Sequence, residues 1–134
     1  ALAQVLTGAG VIDLIMGNHV HVVKPVSVVN AVPVNNGLGN SLSSQSDNCC
    51  RTGTQDGVVA EARIQGNADI GYQVSGLAFA PTWVDRSDYT IVDLLAALDD
   101  PALDLLVRSI YETSFGRTVE AIHSLRWEIL LAGG

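Results

Sequence analysis

The chain has 134 residues, of which 48% are hydrophobic and 16% are charged. This composition predicts one folded domain, or part of a larger one, and disfavours disorder. The net charge of −7 and the lack of any Lys/Arg cluster disfavour nucleic-acid binding and a simple electrostatic grip on a polyanion. The sequence has no run of about 18 apolar residues and no visible signal peptide, so it predicts no membrane-spanning segment.

A short helical pattern opens the chain. Leu2, Val5 and Leu6 recur at helical spacing and are predicted to share one buried face. Gly8 and Gly10 then act as stop signals. The helix is expected to be the end of an αβ unit that begins upstream.

Strand patterns dominate the next eighty residues. The apolar run from Val11 to Met16 predicts a buried parallel strand. Segments 26–30 and 32–35 predict a short strand pair with Asn30-Ala31 as its turn, and Pro33 predicts that the second strand lies at a sheet edge. Residues 41–54 predict a polar, mobile loop.

A long hairpin is predicted after this loop. Residues 57–65 alternate as a strand, with Val58, Ala60, Ala62 and Ile64 on one face. After a turn at 66–69, residues 70–84 provide the antiparallel partner, with a break near Gly76 or Pro81.

The C-terminal third, residues 94–134, has helical periodicity. Asp100-Pro101 predicts a cap and first turn, and Gly116 predicts the end of that helix. Its apolar stripe comprises Leu103, Leu106, Val107 and Ile110. A second, shorter helix is predicted from Val119, Ile122 and Leu125, with 127–131 extending it.

The chain's two cysteines are adjacent, Cys49-Cys50. A disulfide between neighbours closes a strained ring, so reduced thiols in a polar loop are the favoured interpretation. A redox or metal-binding role for the pair stays open.

The sequence Gly17-Asn18-His19-Val20-His21 carries the strongest chemical signal. If this stretch is extended, both imidazoles point to one face about 6.5 Å apart, which suits two ligands of one metal or one ligand each for two metals. A structural pair of histidines at a strand end is the alternative.

The run from Asp13 to Pro25 resembles the C-terminal signature of the CapA family, the bacterial capsule and poly-γ-glutamate synthesis proteins. It reads Asp-Leu-Ile-Met-Gly-Asn-His-Val-His-Val-Val-Lys-Pro. Asn36-Gly37-Leu38-Gly39-Asn40 matches the motif that follows in that family, and strands at 56–59 and 79–82 match two later ones. The resemblance covers residues 1–93 and, more loosely, the C-terminal helices.

The resemblance implies an α/β (α+β) fold, the C-terminal portion of the two-sheet αββα sandwich of calcineurin-like metallophosphoesterases. His19 and His21 match the two histidines that ligate a two-metal centre, with Mn, Fe, Zn or Mg as candidate divalent ions. Asn18 stands where relatives often carry another His, and Lys24 replaces the usual Gln. The family's other ligands lie in motifs N-terminal to this segment, so a missing N-terminal half or a partner subunit is the expected partner.

Asn40 is a candidate catalytic residue, because a Gly-flanked carboxamide can donate to a substrate oxygen. Stabilisation of its own turn is the alternative. His123 is expected at the surface or at a helix end. Asp99 and Asp100 are expected to serve helix capping, and Asp104 a solvated face. No serine-nucleophile, P-loop or dinucleotide motif occurs.

Two functions follow from these patterns. The first is the C-terminal part of a metal-dependent hydrolase or transferase of the bacterial cell envelope, acting on an anionic capsule polymer such as poly-γ-glutamate, with His19 and Asn40 in the chemistry and His19 and His21 as ligands. The second is a non-catalytic assembly module of an envelope complex, with the histidines purely structural.

Overall fold

Two small β-sheets with helices before and after them make up a mixed α/β fold in the computed structural model, which describes residues 2–122 and 130–131. In chain order the elements are α1 (Leu2–Gly8), β1 (Ile15–Met16), β2 (Val26–Val29), β3 (Val32–Asn35), β4 (Asp56–Asn67), β5 (Gly71–Val84), β6 (Ile91–Asp93), α2 (Leu94–Asp99), α3 (Leu105–Ile122) and β7 (Leu130–Leu131). No helix within these residues is both long and apolar enough to cross a membrane.

The first sheet has the strand order β1-β3-β2 and contains the predicted hairpin. Its turn residues Asn30 and Ala31 have φ of 50° and 64°. Positive φ at both central residues is what a type I′ hairpin turn requires. The predicted strand pair and turn are therefore confirmed.

Pro33 lies in the central strand of this sheet, so the prediction that its strand forms the edge is wrong. Val29 and Val32 flank the turn, which makes Val28 and Pro33 the next pair. In such a pair the backbone nitrogens point away from the partner strand. On its other side β3 pairs with β1 only at Val34 and the following residue, so the missing N–H of Pro33 leaves no ladder bond unmade.

The N-terminal helix is confirmed, but its predicted buried face is not. Leu2 and Val5 are each 72% exposed, and Thr7 is the buried residue. The helix docks on the hairpin through a polar contact, because Asn30 Nδ2 donates to Thr7 Oγ1 at 3.0 Å. Of the predicted strand 11–16, only Ile15–Met16 pairs, and Val11 is exposed.

The second sheet is built on the long β4–β5 hairpin. A register shift opposite Arg63 and Ile64 leaves Ser75 without a cross-strand partner, which confirms a break next to Gly76, whereas Pro81 stays paired with Val58. Strands β6 and β7 both pair with β5. Because β4 occupies one edge of β5 along its length, these two short strands share the other.

The two ends of this hairpin differ in burial. Val58, Leu77, Phe79 and Val84 at its base are buried. Residues 61–73, called the hairpin arm below, are all exposed. Of the face predicted to be buried, Val58 lies in the core and Ala60 is half-buried against it, whereas Ala62 and Ile64 are exposed. That core joins the two sheets and α3, and comprises Val23, Val26, Val58, Leu77, Phe79 and Ile122.

The C-terminal helices begin and end at residues other than those predicted. Asp93 caps α2, and the Asp104 carboxylate accepts from the backbone N–H groups of Leu106 and Val107 at the start of α3. Asp104 is therefore a cap, and it is also exposed, as predicted, whereas Asp100 accepts from Ala102 N–H within the turn between the helices.

Gly116 lies inside α3 instead of ending it, and of the predicted apolar stripe Leu106 and Ile110 are exposed whereas Leu103 and Val107 are half-buried. The buried face of the helix comprises Tyr111, Ser114, Thr118 and Ile122. These residues recur at intervals of three or four, so they share one helical face. Leu130–Leu131 form β7 rather than a helix, and Leu125 and residues 127–129 lie outside the described residues.

Candidate functional site

The His19-Val20-His21 motif lies in a loop after β1, not in an extended strand. His19 and His21 have φ of 79° and 62°, in the left-handed region that side-chain-bearing residues seldom adopt. The expected extended geometry is therefore wrong. The two rings are nevertheless brought together, with their centroids 5.8 Å apart and both side chains exposed.

Hydrogen bonds close this loop at both ends against the last residue of β3 and the segment that follows it. Gly17 N–H donates to the carbonyl of Asn35 at 2.7 Å, and Lys24 N–H donates to that of Gly37 at 2.9 Å. A Cβ at Gly17 would lie 2.8 Å from the Asn35 oxygen, so this close approach requires glycine. The loop that carries the histidines is thus held by fixed backbone contacts.

Asn40 determines the state of the His21 ring. Its Nδ2 donates to the Thr54 carbonyl at 2.8 Å and to the His21 carbonyl at 3.4 Å, which fixes the orientation of the amide. Its Oδ1 then lies 2.8 Å from His21 Nδ1. Because an amide oxygen only accepts, Nδ1 must carry a proton, and in the neutral ring Nε2 keeps its lone pair.

Asn40 is itself held in place by its backbone. Only 8% of the residue is exposed, and its N–H donates to the Asp56 carbonyl at 3.2 Å. A Cβ on the preceding Gly39 (φ 77°) would collide with that same oxygen, which explains the glycine before this asparagine. The carboxamide is largely buried and binds both His21 and Thr54, so Asn40 orients the His21 ring.

This arrangement can supply two nitrogen ligands to a metal ion. A ligating histidine normally donates its other ring N–H to an oxygen acceptor, as His21 does to Asn40. In residues 2–122 and 130–131 no group of three or more His, Cys, Asp or Glu side chains is placed to hold a metal. The two histidines therefore provide only part of a metal site.

A second polar cluster, which the sequence patterns did not predict, lies between β4 and α3. The buried Asp56 carboxylate accepts from Ser114 Oγ at 2.6 Å, from Arg117 Nε at 2.9 Å and from Arg117 Nη2 at 3.0 Å. The hydrogen bonds with Asp56 raise the pKa of Arg117 above its ordinary value, so Arg117 stays charged. The sequence feature that could have indicated this cluster is an acidic residue at the start of an apolar strand. Its partners are 58 and 61 residues away, so no local pattern identifies them.

The structure contradicts the interpretation of the cysteines as reduced thiols. Cys49 and Cys50 are joined in a disulfide, and no free cysteine remains. The turn itself juxtaposes them, because the N–H groups of both residues donate to the Ser46 carbonyl, at 3.2 and 3.0 Å. Both residues are exposed.

Comparison with protein-family models, with curated proteins and with solved structures finds no match to this chain. His123, the third histidine, lies outside the described residues.

Proposed function

We propose that this chain is the C-terminal part of a CapA-like protein with the αββα sandwich of metallophosphoesterases. In this proposal His19 and His21 bind a divalent metal centre of a metal-dependent hydrolase or transferase. The observation that carries the proposal is the hydrogen bond of 2.8 Å between His21 Nδ1 and Asn40 Oδ1. It leaves Nε2 of an exposed ring free to bind a metal.

The neighbouring ring supports the same interpretation. Centroids 5.8 Å apart are compatible with two ligands of one metal or with one ligand for each of two neighbouring metals. A loop that keeps two side-chain-bearing residues at positive φ stores backbone strain, which is common at functional sites. The mixed α/β fold with two sheets and C-terminal helices is compatible with the proposed sandwich.

A bound metal pair would activate water and clamp the oxygens of the group being cleaved. In the proposal, the remaining ligands come from an N-terminal half or a partner subunit. The anionic capsule polymer and the envelope location are carried over from the family resemblance alone. The residues of this chain hold the metal, and Asn40 keeps the His21 ring in the binding orientation.

Calorimetric titration of the chain with Mn²⁺ and Zn²⁺ tests the proposal. Wild type is expected to bind at least one ion, and His19→Ala and His21→Ala should each weaken binding by about tenfold or more, as loss of a ligand predicts. His123→Ala is the matched control, because it removes the histidine outside the motif. The metal proposal fails if the double variant His19→Ala/His21→Ala binds as tightly as the control.

A second candidate function is a non-catalytic assembly module, and the hairpin arm favours it. Ile64, Ile70 and Tyr72 on the arm are 65%, 82% and 66% exposed. Exposed apolar side chains on a projecting ribbon are typical of surfaces that bind another protein subunit. Sedimentation velocity tests this candidate through self-association of the chain. Self-association should be lost in the triple variant Ile64→Ser/Ile70→Ser/Tyr72→Ser and kept in the double variant His19→Ala/His21→Ala.

A further inference from the structure

A cleft beside the histidine loop is lined by none of the proposed metal ligands. It has a volume of about 450 Å³ and lies between the segments 22–24 and 51–53 and one face of α3. The cleft shares chain segments with the histidine site, because Val22 follows His21 and Gly53 precedes Thr54.

Positive charge is concentrated at this cleft. Lys24, Arg51 and Arg117 line it, which is three of the seven basic residues in a chain of net charge −7. Two acidic residues also line it. Asp56 is already paired with Arg117 and also accepts from Ser114, and Glu120 is exposed. The cleft therefore has two cations without a paired carboxylate within the described residues, Lys24 and Arg51.

Arg117 has N–H donors that its bond to Asp56 does not use. Its Nε and Nη2 bind Asp56, whereas the two N–H groups of Nη1 bind no acceptor among the described residues. A guanidinium presents five N–H donors, so an arginine held by one carboxylate can still bind a second oxyanion.

The wall of the cleft also contains an unpartnered hydroxyl. Thr118 lines the cleft, is 1% exposed, and its Oγ1 has no hydrogen-bond partner among the described residues. A buried hydroxyl without a partner costs about 1–3 kcal/mol, so such groups are rare unless a ligand or water completes them. This hydroxyl is independent of the charges, and an acceptor oxygen that reached it from the cleft would complete its hydrogen bonding.

We infer that this cleft binds an oxyanion group, a phosphate or a carboxylate. Lys24 and Arg51 supply the charge, Arg117 offers its free N–H groups, and Thr118 Oγ1 donates to one ligand oxygen. Charge-assisted hydrogen bonds of this kind are the strong ones in proteins. None of these residues is a proposed metal ligand, so the inference goes beyond the proposed function and stands or falls separately from it.

Calorimetry in metal-stripped buffer of constant ionic strength tests the inference, with inorganic phosphate in one arm and glutarate, a dicarboxylate, in the other. Lys24→Ala and Arg51→Ala should each raise the Kd of the bound ligand by about tenfold. Thr118→Val removes only the hydroxyl and should raise the Kd severalfold, with the urea midpoint unchanged or higher because no hydrogen bond is lost.

Arg63→Ala is the matched control, because Arg63 is a cation on the hairpin arm in an exposed ion pair with Glu61. Saturable binding of phosphate alone identifies a phosphate site, and saturable binding of glutarate alone identifies a carboxylate site. The inference is overturned if neither ligand saturates, or if Lys24→Ala, Arg51→Ala and Arg63→Ala bind equally well. A failed metal titration would leave this result untouched, since no metal is present.

Discussion

Two polar clusters include neighbouring residues of one segment, Thr54 and Asp56. They differ in which polar atoms remain available to a ligand. The Thr54 carbonyl accepts from Asn40, which in turn binds His21 Nδ1, and the chain of contacts ends at an exposed ring nitrogen. The Asp56 carboxylate, two residues later, accepts hydrogen bonds from Ser114 and Arg117. The first cluster ends in a free acceptor that can bind a cation, whereas the second holds β4 against α3 and leaves only N–H donors of Arg117 free among the described residues.

The largest effect on stability should come from Asp56→Ala. It leaves Arg117 and Ser114 without their partner, and breaking a buried ion pair costs about 3 kcal/mol or more in unfolding free energy. Urea denaturation measures the shift. Glu61→Ala is the control, because it breaks the exposed pair with Arg63 and should cost at most about 1 kcal/mol. Equal costs for the two variants would show that the Asp56 cluster does not hold α3 in place.

Asn40→Ala should affect both stability and ligand binding. It leaves the Thr54 carbonyl unsatisfied, at a cost of about 1–3 kcal/mol, and frees the His21 ring to change tautomer and orientation. Loss of such an orienting partner typically weakens metal binding by about 10- to 100-fold.

Stability and metal titrations on the same preparation separate the two effects of Asn40→Ala. Asn36→Ala is the control, since Asn36 is an exposed asparagine that donates to Pro25 and Ser27 away from the histidines. Unchanged metal affinity in Asn40→Ala would show that the Asn40 cluster does not support metal binding, and the proposed difference in function between the two clusters would then be wrong.

A smaller effect is expected from Tyr111→Phe, confined to alkaline pH. Tyr111 lies on the same buried face of α3 as Ser114, and its ring centroid is 5.4 Å from that of Trp83. Burial first, and then the charges of Asp85 and Asp88, raise the pKa of Tyr111 above its ordinary value. From pH about 10 upward the unfolded chain releases this proton before the folded one does, so stability falls as pH rises through the folded pKa.

Urea midpoints at pH 8 and at pH 10.5 check this expectation. Wild type should lose more stability between the two values than Tyr111→Phe, which keeps the ring but has no proton to release. Equal losses of stability in the two proteins would show that the ionisation of Tyr111 does not cause the pH dependence.

Elements set by local sequence could be predicted, and contacts between distant segments could not. The Asn30-Ala31 turn and the β4–β5 hairpin depend on neighbouring residues, and both were predicted. The central position of Pro33 depends on how far β1 extends along its partner, which no local pattern encodes. The length of α3 likewise depends on its buried face, which overrides the cost of about 1 kcal/mol for an interior glycine at Gly116.

The candidate site was predicted in its residues but not in its geometry. His19, His21 and Asn40 could be singled out from their spacing and flanking glycines. The left-handed backbone of His19 and His21 arises from the loop that is closed by hydrogen bonds at Gly17 and Lys24, and the orientation of Asn40 depends on its bond to Thr54. The metal, the family and the substrate stay predictions.

The hairpin arm also has a consequence for the order of folding. Strands β4 and β5 meet across a short turn, so their pairing closes a small loop and costs little chain entropy. The hydrogen bond from Arg117 to Asp56 instead closes a loop between residues that are 61 positions apart. Local pairs of this kind form early and distant ones late. We therefore expect changes in the arm's turn to slow folding, and changes at Asp56 to speed unfolding.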